Sequence, residues 1–152
     1  MVLGVDVGGT KIATGLVNER AEVSSAHSIP TLANEGFNVS IGQLWRAIEQ
    51  SLTAKVTAIG ICAPGPLNPK TGVILNPPNL PGWCDIPLEK LARERFGLPV
   101  RVENDCNAAG RSRRCSIITL PARLASGATI PARTSIGKAL KRDSDPATAI
   151  TR

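Results

Sequence analysis

The sequence predicts an α/β fold, and three observations predict it. Two short apolar runs near the N-terminus are joined by the glycine-rich Gly8-Gly9-Thr10-Lys11, segments of helical period alternate with short continuous apolar runs after them, and several of those runs end in polar residues. At 152 residues the chain has room for one ordinary domain, which buries roughly two-thirds of the surface it exposes when unfolded. A hydrophobic share of 42% with 20% charged residues is ordinary for a soluble globular protein. No stretch approaches the roughly 20 apolar residues that span a membrane. The start, MVLGVDVGGT, has no basic region ahead of a long apolar run and is interrupted by Asp6, so no secretory signal is expected and the expected compartment is the cytoplasm.

Residues 2–7 (VLGVDV) and 12–18 (IATGLVN) read as the arms of a β-hairpin around the Gly8–Lys11 turn. Residues 21–29 read as a weaker third strand, with Ala21, Val23 and Ser25 sharing a face, closed by Pro30. From Phe37 to Lys55 the apolar residues Phe37, Ile41, Leu44, Trp45, Ile48 and Leu52 recur at steps of three and four and make one helical stripe. Either Ser40 or Asn38 is its expected cap. Residues 56–62 (VTAIGIC) are a continuous apolar run, as expected of a strand covered on both faces, and Pro64-Gly65-Pro66 ends it. The proline-, glycine- and asparagine-rich stretch from Leu67 to Trp83 reads as a loop with a brief strand at 73–75. A loop of that length in a compact domain is either disordered or a binding element, and Leu80 and Trp83 favour an ordered one. Residues 87–96 start with proline, place Leu88, Leu91, Ala92 and Phe96 on one side and stop at Gly97, which predicts a helix. A strand follows at 99–103, with Asn104-Asp105 just beyond its end and a helix able to open over 105–110.

Four cysteines, Cys62, Cys84, Cys106 and Cys115, form no C-x-x-C pair, and His27 is the single histidine, so local sequence offers no zinc site. Free buried or half-buried thiols are expected, with disulfides the alternative. The net charge of +6 suggests an anionic partner until its distribution is read: residues 1–110 carry nine Lys and Arg against ten Asp and Glu, whereas 111–152 carry nine against two. That tail has no sustained period beyond Ser116–Leu120, and disorder is expected of it.

In open α/β sheets ligands gather beyond the carboxyl ends of the strands. Three such ends are polar here, and the text around them, GVDVGGTKIATGLV at 4–17, GICAPGPLNPKTGVILNPPNLPGW at 60–83 and LPVRVENDCNAAG at 98–110, resembles the ROK family of repressors and sugar kinases over about residues 2–110. The resemblance implies the truncated N-terminal lobe of an actin-like, hexokinase-like ATPase of ribonuclease H-like topology, a mixed sheet with helices. It implies a glucokinase-like transfer from ATP, with Mg²⁺, to a hexose such as glucose, in a family whose members are often homodimers. The first block looks like a phosphate motif formed by Gly4, Val5, Asp6, Val7, Gly8, Gly9, Thr10 and Lys11. Glycines let a turn bring its N–H groups to phosphate oxygens, Thr10 and Lys11 add a hydroxyl and a charge, and Asp6 would stand near the metal, through water. Taken alone, the same residues are a plain hairpin turn. In the third block Asp105 is the implied general base for the sugar hydroxyl, Asn104 would hold neighbouring hydroxyls, and Glu103 would support them. Read without the family, Asn104 and Asp105 equally suit a helix cap. In the second block Gly65 allows close approach to the sugar and Asn79 resembles the family's hydroxyl-binding asparagine, while Leu80 and Trp83 read as core anchors.

The family's second phosphate loop of GTGxGGG type, its zinc motif and its C-terminal lobe do not follow Gly110. The tail is therefore either a genuine basic appendage or the product of a reading-frame shift near Gly110. The second alternative predicts a GTGxGGG-like segment in another frame of the encoding DNA. Two non-kinase readings stand beside the leading one: a sugar-binding remnant, and the effector domain of a ROK transcriptional repressor. Repressors of this family carry a helix-turn-helix ahead of the glycine block, which starts here at residue 4, so specific DNA binding is not expected.

Overall fold

The computed structural model describes residues 1–104. Strand β1 (Val2–Val7) runs antiparallel to β2 (Lys11–Val17), which pairs antiparallel with β3 (Val23–Pro30). Helix α1 (Phe37–Ser51) then crosses to β4 (Ala58–Ala63), which lies parallel to β1. A two-stranded ribbon, β5 (Leu67–Asn68) with β6 (Val73–Ile74), leads through a loop to α2 (Leu88–Phe96) and to β7 (Val100–Asn104), parallel to β4. The main sheet has the order β3-β2-β1-β4-β7, a mixed sheet that begins as a hairpin and continues with parallel crossovers.

Alternation along the strands puts Leu3, Val5 and Val7 on one face with Ile59, Ile61, Val100 and Val102, and all are in the core. Both helices cover that face. Leu44, Ala47 and Ile48 of α1 and Leu88 and Ala92 of α2 are buried there, each Leu or Ile contributing about 1.5–3 kcal/mol. Thr14 Oγ1 and Ser51 Oγ, 2.7 Å apart, tie β2 to the end of α1. The helices also meet each other: Trp45 and Phe96 pack edge to face at 5.8 Å, and Arg95 donates twice to Glu49 Oε1, at 3.2 and 2.7 Å.

Several expectations need correction. Ala21 and Ser25 do not share a strand face with Val23. Ala21 lies in the turn that Asn18 closes by accepting from the N–H groups of Arg20 and Glu22, and Ser25 has φ 52° where the β2–β3 register shifts. A bulge inserts one residue and resets the alternation. Helix α1 stops at Ser51 rather than Lys55, and neither Asn38 nor Ser40 caps it: the chain enters from Gly36 at φ 93°, with no side-chain cap. The expected strand at 56–62 runs from Ala58 to Ala63, and Asn104 belongs to β7 rather than lying beyond it. The stop at Gly97, φ 64°, is as expected. Among the described residues no helix is long and apolar enough to cross a membrane. Cys62 is buried, Cys84 exposed, and neither is in a disulfide among the described residues. The remaining cysteines, the helix expected over 105–110 and the basic tail lie outside the described residues.

Candidate active site

The parallel pairing decides where the polar strand ends stand. Asp6 of β1 is in register with Cys62 of β4, and Cys62 with Glu103 of β7, so the three share one row at the carboxyl rim of the sheet. At about 4.8 Å per strand, Asp6 and Glu103 are roughly 10 Å apart. Asp6 and Glu103 are half-buried, Cys62 fully. The Gly8–Lys11 turn leaves β1 from this rim, and Asn104 ends β7 on it.

The turn is held from two sides. Gly8 N–H donates to Lys11 O at 2.9 Å, which closes it. Thr31, buried just past β3, donates its hydroxyl to Gly8 O at 2.6 Å and its N–H to Thr10 O at 3.0 Å. Thr10 and Lys11 remain exposed. Gly4, Val5 and Val7 lie inside β1, with Val5 and Val7 in the core, so their contribution is the strand that carries the turn. Thr31 is invisible to motif reading, because a lone threonine after a strand carries no periodic signal. Thr31→Val removes one donor to a half-buried carbonyl and is expected to lower stability by about 0.5–1.5 kcal/mol. Urea unfolding of the variant checks this.

On the other side of the rim, Gly65 lies against Asn104. A β-carbon built on Gly65 would collide with Asn104 Nδ2, so only glycine leaves that amide its place. The Asn104 N–H is 3.2 Å from Glu103 Oε1. After Gly65 the chain is stitched rather than loose. Leu75 N–H donates to Pro66 O, Ile74 and Ile86 exchange both backbone bonds at 2.8 Å, and Asp85 N–H donates to Leu75 O. Leu80 and Trp83 are fully buried, and Trp83 Nε1 donates to Ser40 Oγ at 2.7 Å while its ring stands edge-on to Phe37. Asn79, directly before the first of these anchors, is exposed and abuts Gly9. Asp105 lies outside the described residues, directly after Asn104 in the chain.

Sequence reasoning missed Glu89, which is 7% exposed on α2. Its Oε2 accepts from Val102 N–H at 3.2 Å, its Oε1 is 2.7 Å from Arg93 Nη2, and Arg101 Nη1 stands 3.7 Å from Oε2. Its own N–H donates to Gly72 O at 3.3 Å. Among the described residues β7 is the last strand of the sheet on this side, and a buried edge N–H needs a partner. Glu89 provides it, and so ties the strand ending in Asn104 to α2 and to the ribbon.

The ROK family model matches residues 2–115. The chain belongs to the ROK family. A glucokinase of Streptomyces coelicolor is 37% identical over 110 residues, and a putative xylose repressor of Caldicellulosiruptor sp. is 30% identical over 114. These matches take in 72% and 71% of this chain but 34% and 28% of the relatives, so the chain spans about a third of the length of the curated relatives it matches. Among solved structures, a ROK hexokinase from Thermus thermophilus is similar with TM-score 0.64 and 38% identity, covering 73% of this chain and 37% of that one. A ROK glucokinase from Streptomyces griseus, in complex with glucose and AMPPNP, is similar with TM-score 0.63 and 35% identity, covering 73% and 35%. The sheet order and these neighbours make the fold that of an actin-like ATPase lobe, and the family is sugar-kinase-like.

Proposed function

We propose that residues 2–110 are the N-terminal lobe of an ATP-dependent hexose kinase of glucokinase type, with glucose as the substrate and the cytoplasm as its place. The observation that carries this reading is the shared rim: the Gly8–Lys11 turn and the Gly65–Asn104 pair stand at the carboxyl ends of adjacent parallel strands. In it, Thr10 and Lys11 meet phosphate oxygens, while Asn79 and Asn104 hold sugar hydroxyls. Asp105 orients the attacking hydroxyl and takes its proton as the phosphoryl group transfers. Among the described residues no three His, Cys, Asp or Glu side chains gather into a metal cage, and Asp6 offers one carboxylate at the rim. One carboxylate suits a Mg²⁺ that arrives on nucleotide phosphates with its waters and would neutralise charge there.

Phosphoryl transfer also needs donors facing the phosphates from across the cleft and exclusion of water. The reading assigns those to the part of the longer relatives beyond the matched region, and gives the residues matched here the sugar site and one side of the phosphate site. Similarity to a putative xylose repressor favours one second reading, an effector domain that binds sugar and transfers nothing. Calorimetric titration of the 152-residue chain with glucose tests the sugar site. Binding is expected, weakened about tenfold or more by Asp105→Ala, the loss of a charge-assisted hydrogen bond. A chain that takes up no glucose at millimolar concentration would refute a retained sugar site.

A further inference from the structure

The reading above gives Gly9 to the phosphate and Asn79 to the sugar, yet the two residues touch. A β-carbon built on Gly9 would lie 2.6 Å from the carbonyl oxygen of Asn79 and 3.1 Å from its Cβ. The nearer neighbour is backbone, so no side-chain rotation relieves the collision. The Asn79 backbone is itself confined. Leu80 N–H donates to Pro77 O and Trp83 N–H to Leu80 O, while Leu80 and Trp83 are fully buried one and four residues on. Gly9 is equally confined, between Gly8 and Thr10, which Thr31 holds. Two fixed backbones thus meet at a bare Cα.

We propose that Gly9 is a positioning residue for the sugar-side loop: its missing side chain is the seat on which Asn79 rests, so that the phosphate turn also sets where the hydroxyl-binding asparagine stands. The proposal builds on the assignment of Asn79 to the sugar, but the contact is testable without any ligand. It implies that the two halves of the site are not independent. A change in the turn is passed to the loop through one contact, and a loop displaced by substrate loss would in turn free the turn.

Trp83 reports the loop. The chain has two tryptophans, and Trp45→Phe leaves Trp83 as the one emitter. In that background, Gly9→Ala is expected to shift Trp83 emission to the red and roughly double its quenching by acrylamide, with far-ultraviolet dichroism retained, as local opening of one loop requires. Thr10→Ala, at an exposed neighbour in the same turn, is expected to change neither. Thr31→Val, which loosens the turn that carries Gly9, is expected to shift Trp83 emission in the same direction by a smaller amount. The proposal is overturned if Gly9→Ala leaves Trp83 unchanged. Should Gly9→Ala unfold the chain, Thr31→Val decides: a red shift of Trp83 emission supports the contact, and none refutes it. Calorimetry with glucose on the parent chain separates this outcome from failure of the sugar reading, since Trp83 responds to the contact whether or not sugar binds.

Discussion

Replacing Asp105 by asparagine, in a form of the chain that carries a second lobe, is expected to lower kcat for glucose by about 10²–10⁴, the usual contribution of a general base. The substitution is chosen because it separates the two roles the sequence leaves open. Asparagine caps a helix as well as aspartate does, so a capping role would survive the change with stability nearly intact. The amide also keeps a hydrogen-bonding oxygen for the sugar. What it cannot do is take the hydroxyl proton. A coupled assay for ADP release, run beside urea unfolding, would therefore show a large loss of kcat with little change in midpoint. Unchanged kcat in Asp105→Asn would remove Asp105 from the chemistry and return it to the cap.

How much of this was legible in the sequence follows from how local each signal is. The hairpin around Gly8-Gly9, the stripe of α1 and the stop at Gly97 are written in neighbouring residues, and the structure has them where the pattern puts them. Asp6, Gly65 and Asn104 could be picked out as polar or glycine residues at strand ends, but their meeting at one rim depends on parallel register, which no local window contains. Thr31 and Glu89 were hidden for the same reason. Glu89 sits in PLEKLARERF, a segment whose charges read as a solvated face. It is buried because an edge strand from elsewhere in the chain needs an acceptor. Of the β5–β6 ribbon, the brief strand expected at 73–75 is present as β6, whereas its partner β5 escaped because a two-residue strand cannot display alternation. The Asp105 role and the tail stay where the sequence reading left them, since both lie outside the described residues.

Trp83→Ala is expected to lower the stability of the chain by about 3–5 kcal/mol, the range for deleting a fully buried aromatic side chain. Trp83 is the largest fully buried side chain among the described residues. Its loss would leave a void under the N-terminal turn of α1, an edge-to-face partner missing from Phe37 at 5.6 Å, and Ser40 Oγ without the indole donor at 2.7 Å. Against a total of about 5–15 kcal/mol for a domain, such a loss leaves little margin. Trp83→Phe keeps most of the ring and loses the N–H bond, so about 0.5–1.5 kcal/mol of the cost belongs to the hydrogen bond and the remainder to packing. Urea midpoints for the two variants, compared at unchanged slope, apportion it. A drop of under about 1 kcal/mol for Trp83→Ala would mean that the loop is not anchored by this ring. The anchor matters to the proposed sugar site because Trp83 and Leu80, both fully buried, hold the loop that carries the exposed Asn79, whose backbone lies against the bare Cα of Gly9.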